Sequence, residues 1–129
     1  MAGLGARQPD DESMNWFVSL SLANDERILP AVRGVAEAAA RQANFESAEV
    51  ERIACAVAGA AEAAMLASRG HGPTIDLWFE LRARQFEVRL KYLDAGPAPR
   101  AAIDGGGMET VEFSREGRYT VCCLVRTLP

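Results

Sequence analysis

Residues 16–46 read WFVSLSLANDERILPAVRGVAEAAARQANFE, and the change of period inside this stretch decides the fold class. Trp16, Val18, Leu20 and Leu22 alternate with Phe17, Ser19 and Ser21, the period of two expected of a strand that lays one face on a core. After Asn24-Asp25 the period lengthens, and Ile28, Val32, Val35, Ala36 and Ala39 recur at helical spacing. The pair Asn24-Asp25 can cap that helix and place Glu26 near its positive end. Pro30 then has to fall in the first turn, where a missing amide proton costs least. The run is expected to end near Asn44.

Downstream, Ser47 is the expected cap of a second helix, whose Val50, Ile53, Val57, Ala60, Ala61 and Ala64 share one stripe at about 100° per residue. Past the break Arg69-Gly70-His71-Gly72-Pro73, two strand-like runs follow, Thr74 to Arg82 and Gln85 to Leu93, close enough to form a hairpin. Asp94 to Gly107 holds two prolines and four glycines and is expected to be a loop, with at most a short helix around Arg100 to Ile103. Glu109 to Arg115 and Tyr119 to Thr127 read as a closing hairpin that turns at Glu116-Gly117. Upstream, residues 1–13 are polar, with two glycines and a proline, and are expected to be a flexible tail outside the fold. The order βααββ, loop, ββ predicts a single α+β domain over residues 14–129, a two-layer sandwich of helices on one face of a mainly antiparallel sheet.

Composition narrows the function classes. The chain has 129 residues, 49% of them hydrophobic and 25% charged, the profile of one ordinary globular domain. A net charge of −4 supplies no basic footprint for nucleic acid, so DNA and RNA are not expected as partners. The longest apolar stretch, Ile53 to Leu66, is interrupted by Glu62 and falls short of the ~20 residues that cross a bilayer. The acidic residues of the tail and its lack of an apolar core argue against a secretory signal. Cys55, Cys122 and Cys123 form neither an even set nor a CxxC pair, which points to reduced thiols in the cytoplasm. With His71 as the sole histidine, in a glycine-rich turn, no Cys/His metal site is expected.

Four strings now point one way: the opening stretch, VERIACAVAGAAEAAMLAS (50–68), FEVRLKYLDAGPAP (86–99) and METVEFSREGRYTVCCLVRTLP (108–129). Together they resemble the anti-sigma factor serine-protein kinases of bacterial partner-switching systems, members of the GHKL ATPase superfamily. The resemblance implies the Bergerat fold, that of the histidine-kinase-like ATPases, with its mixed, mainly antiparallel sheet. In that family the second long helix reads roughly AVSEACTNAVKHA. Its glutamate orients or deprotonates an attacking hydroxyl, and its asparagine helps hold magnesium on the phosphates. Set beside AVAGAAEAAMLAS (56–68), the glutamate position is Gly59 and the asparagine position is Ala63, so no catalytic residue and no metal ligand carries over. Glu62 could replace the lost carboxylate but is expected on a solvated helix face, because it lies about 180° from Ile53 around the helix, opposite the core stripe, whereas Gly59 lies about 240° from it.

The family's Asp-x-Gly-x-Gly motif, whose aspartate accepts from the adenine amino group, is matched in part by Asp94-Ala95-Gly96-Pro97-Ala98. Asp94 and Gly96 are therefore candidate adenine contacts, the alternative being an ordinary turn. The family's lid helix is shortened here to Arg100 through Gly107. Gly105 and Gly106 are the phosphate candidates that remain, and a glycine run without a following helix also serves as a plain connector. Trp16, Trp78, Phe17, Phe79 and Phe86 are expected in the core or on a half-buried sheet surface. Arg82, Arg84, Arg89, Lys91 and Arg100 suit either the solvent face of a sheet or an acidic or phosphate partner. At least one of Cys122 and Cys123 is expected to be buried.

Two functions follow from the resemblance. One is an anti-sigma-type regulator that binds a sigma factor or a STAS-domain antagonist, with a degenerate ATP site, no cofactor expected, and a homodimer as in many relatives. The other is an ATP- and magnesium-dependent serine kinase acting on a STAS-type anti-anti-sigma factor. Loss of the base, the magnesium ligand and the lid favours the first, because phosphoryl transfer depends on positioning and charge neutralisation.

Overall fold

A computed structural model describes residues 15–93 and 107–128. The tail at 1–13, the shortened lid as far as Gly106, Asp94, Gly96, Arg100, Gly105 and Gly106 lie outside the described residues. Strand β1 (Trp16–Ala23) opens the fold. Asp25 then caps a single 3-10 turn (Glu26–Ile28), its Oδ1 accepting from the Arg27 amide at 2.9 Å. Helix α1 (Leu29–Gln42) follows with Pro30 in its first turn, as the missing proline donor requires. Asn44, at φ 71°, reverses the chain into α2 (Ser47–Ala67). Ser47 is not the cap that its position predicts. Glu46 occupies the cap position without a side-chain bond, and its carbonyl already accepts from the Val50 amide at 2.8 Å, so Ser47 is the first helical residue.

Strands β2 (Thr74–Arg82) and β3 (Gln85–Leu93) form the expected hairpin. Their two-residue turn, Ala83-Arg84, has φ of 53° and 64°. Two positive φ values are the signature of a type I′ turn, whose twist matches that of the strands it joins. Strands β4 (Thr110–Glu116) and β5 (Tyr119–Thr127) close the sheet. They turn one residue later than expected, at Gly117-Arg118, because Glu116 still pairs with Tyr119. Gly117 takes the left-handed φ of 64° that the turn demands.

The five strands lie in the order β1-β2-β3-β5-β4. All four pairings are antiparallel, so the mixed sheet implied by the resemblance is not what the described strands form. Two successive helices return the chain to the end of the sheet where β1 finished, so β2 runs back against β1. A single crossover helix would have made that pair parallel.

Both helices cover one face of the sheet. Val32, Ala36 and Ala40 of α1 and Val50, Ile53, Val57 and Ala61 of α2 are buried with Leu77, Phe79, Phe86, Val88 and Leu124. Each fully buried Ile or Phe contributes about 1.5–3 kcal/mol relative to exposure. The alanines let the two helices approach each other and the sheet closely. The opposite sheet face carries no described helix, and there the expectation for Phe17 fails: its side chain is 60% exposed and stacks on Trp78 at 5.0 Å, rather than entering the core. Phe79 and Phe86 are fully buried, while Trp16 and Trp78 are half-buried.

Candidate functional site

Helix α2 presents a bare side. Cys55, Gly59, Glu62 and Leu66 are exposed on it and Ala63 is half-buried, so the two positions matching the family's glutamate and asparagine do face away from the core. A Cβ placed at Gly59 would meet nothing within 4 Å, so the space beside this turn is open. Neither residue offers an oxygen donor, and the nearby Glu62 carboxylate points to solvent. No three His, Cys, Asp or Glu residues gather into a metal-binding group among the described residues. The described part of this face therefore offers no side-chain oxygen at the two positions that the resemblance assigns to the base and the magnesium ligand. Of the residues that flank 94–106, Gly107 lies against the α2 backbone at Arg52 and Ile53. Leu93 packs beside Gly72, beyond the C-terminal end of the helix, where a Cβ on the glycine would lie 3.4 Å away.

The C-terminal end of α2 is tied to the β1–α1 corner by a network that the sequence did not announce. Asn24 Nδ2 donates to Ser68 Oγ at 2.9 Å, to the Ser68 carbonyl at 3.3 Å and to the Gly72 carbonyl at 3.2 Å. The fully buried Ser68 hydroxyl donates in turn to the Ala64 carbonyl at 2.8 Å. Asn24 was legible only as half of a capping pair, and its partners lie more than 40 residues away. Beside this network is a cavity of about 480 Å³ bordered by Asn24, Met65, Arg69 and Gly72. Among the described residues its rim charges are matched, Arg27 with Asp25 at 2.6 Å and Arg69 with Glu26, and these leave no surplus charge for an anion.

The basic residues of the central hairpin fall on the outer sheet face, as alternation allows. Glu80 receives Arg89 at 3.2 Å and Arg82 at 3.5 Å, and Lys91 meets Glu116 at 3.3 Å. Arg89 also covers the Trp78 ring at 5.0 Å, so Trp78 lies between a guanidinium and the Phe17 ring. Arg82, Arg89 and Lys91 are thus internally neutralised, and Arg100 lies outside the described residues. Cys122 is buried and Cys123 is partly exposed on the outer face. Burial pushes the Cys122 thiol up to about 11. Burial, reinforced by the contact with Glu87, pushes Cys123 up to about 12.

No protein-family model and no curated protein matches this sequence. Among solved structures, the chain is similar to the crystal structure of the RsbU and RsbW domains of Rv1364c from Mycobacterium tuberculosis, with a TM-score of 0.67 and 13% identity. The match covers 88% of this chain and 33% of the other, so this chain spans about a third of that protein's length. At this identity the likeness is one of fold: an α+β sandwich of two helices on a five-stranded antiparallel sheet. No described helix is long and apolar enough to cross a membrane.

Proposed function

We propose that this chain is an anti-sigma-type regulator of a partner-switching system, acting in the cytoplasm by binding a protein partner and not by transferring phosphate. The observation that carries the reading is the bare side of α2. A fold similar to a structure containing an RsbW domain is kept, while the positions that match the family's catalytic glutamate and magnesium-binding asparagine are an exposed glycine and an alanine. Phosphoryl transfer relies on positioned charge, and removing both groups leaves the helix face nothing with which to orient a nucleophile or hold a metal. Protein binding asks only for a shaped surface. The partner proposed is a sigma factor or a STAS-domain antagonist.

Two measurements test this. Titration calorimetry with ATP and ADP, each with and without magnesium, is expected to show no magnesium-dependent affinity in the micromolar range. Such affinity, lost in Asp94→Asn, would instead favour a surviving nucleotide site. Affinity purification under native expression is expected to recover a sigma factor or a STAS-domain protein, and recovery of neither would count against the regulator.

A further inference from the structure

The two edges of the sheet are built differently. β4, TVEFSRE, carries Glu112, Arg115 and Glu116, whereas β1, WFVSLSLA, has no charge, proline or glycine over eight residues. Sheet edges are ordinarily blunted by charge, proline or a bulge, because an unpaired backbone is a template for another strand. Among the described residues nothing pairs with β1 on the side away from β2. The Asn24 amide donates to the Pro73 carbonyl at 2.9 Å. Backbone groups of successive strand residues alternate sides, so Phe17, Ser19 and Ser21 turn their N–H and C=O groups to the open side. Phe17, 60% exposed on the outer face, and Val18, 44% exposed on the inner face, flank that row. Beneath Val18 is a cleft of about 420 Å³ between β1 and α1, lined among the described residues by Trp16, Val35, Ala39, Gln42 and Phe79, with no charged group among them.

We infer that β1 is a strand-docking edge, which takes an extended, uncharged segment of a partner protein as a sixth strand. The open backbone row calls for N–H and C=O partners at strand spacing, and only extended chain supplies them. Apolar side chains are exposed on both faces of the same strand. A helix or a flat surface laid on one face would leave the other bare, whereas an added strand sends its side chains alternately over both. Its inward residues then enter the cleft beside Val35 and Ala39, where aliphatic groups fit and charge does not. This inference stands on the edge alone and does not depend on the regulator reading.

The test uses the full chain and an end-capped octapeptide of alternating valine and threonine, with two further copies N-methylated at the valines or at the threonines. Saturable binding is expected, retained by one methylated peptide and weakened at least tenfold in the other, because only one set of amides meets the protein. Hydrogen exchange at Phe17, Ser19 and Ser21 should be fast in the free protein and slow in the complex. Val18→Lys should weaken binding at least tenfold while leaving the circular dichroism spectrum unchanged. Absence of saturable binding up to millimolar peptide would overturn the inference, as would equal binding of all three peptides. Protection of those amides without peptide would also overturn it: if it grows with protein concentration, a second copy fills the edge, and if it does not, the chain's own residues do.

Discussion

Arg126 Nη2 lies 2.6 Å from Oε1 of Glu49, joining the last strand to the first turn of α2. The same guanidinium donates through Nη1 to the Gly107 carbonyl at 2.9 Å and rests 5.6 Å from the centre of the Phe45 ring. Burial pushes the Glu49 carboxyl up, but the hydrogen bond and charge of Arg126, with Arg52 beside it, outweigh this and hold its pKa below the ordinary value. Arg126→Ala is therefore expected to lower the melting temperature more than Glu49→Gln, since it also removes the carbonyl bond and the ring contact. The depressed pKa sets the sign with pH: the pair's contribution is complete above the ordinary glutamate value of 4.5 and is lost as pH falls through the lower folded-state value. Thermal melts from pH 6 to pH 2 should fall less steeply in Glu49→Gln than in the parent.

The Ala83-Arg84 turn places two residues with a Cβ in the left-handed region, at roughly 1–2 kcal/mol each. Asn-Gly is the preferred pair for this geometry. Ala83→Asn alone, which keeps the Arg84 side chain, should raise stability by about 0.5 kcal/mol in urea unfolding. The bond from the Leu128 amide to the residue 84 carbonyl is a backbone bond and survives the change.

Gly34 and Gly59 are exposed in helix interiors, and a Cβ at either meets nothing within 4 Å. Gly34→Ala and Gly59→Ala should each stabilise by about 0.5–1 kcal/mol through lower chain entropy in the unfolded state. Chemical denaturation of the single variants checks both.

Gly107 is the reverse case. A Cβ there would lie 2.5 Å from the Arg52 carbonyl carbon and 2.6 Å from the Ile53 nitrogen, both helix backbone that cannot step aside. Gly107→Ala should destabilise by about 1–3 kcal/mol, the usual range for an overpacked contact.

The thiols should separate by exposure. Cys55 is exposed on α2, while Cys122 and Cys123 are held protonated by burial, with values pushed up to about 11 and about 12. A thiol-specific disulfide reagent at pH 8 is expected to modify one thiol per chain rapidly and all three after denaturation. Cys55→Ser should abolish the rapid phase.

What the sequence disclosed follows from the range of the interactions involved. The bounds Thr74–Arg82 and Gln85–Leu93 and the buried stripe from Val50 to Ala64 are set by local period, so they could be read directly. Alternation also put Phe17 opposite Trp16, yet no periodicity says whether the second face of a sheet is covered. The Asn24–Ser68 bonds, the Arg126–Glu49 pair and the seat of Gly107 on α2 join segments far apart in the chain, and each needed the folded geometry to be seen. At the candidate site, the outward positions of Gly59 and Ala63 follow from helical phase alone. Asp94, Gly96, Gly105 and Gly106 lie outside the described residues.

The register that sets Trp16 opposite Leu81 joins segments with both helices between them. The β2–β3 and β4–β5 hairpins close over two-residue turns, so they can assemble early, whereas β1 must wait for its neighbour. During synthesis WFVSLSLA leaves the ribosome well before β2, the strand it pairs with. An uncharged, proline-free, strand-prone segment in that interval is a site for pairing with other nascent chains. Docking of β1 onto β2 is thus the step that ends this exposure, and lysine at the exposed Ser19 is the change that would guard the strand during that wait.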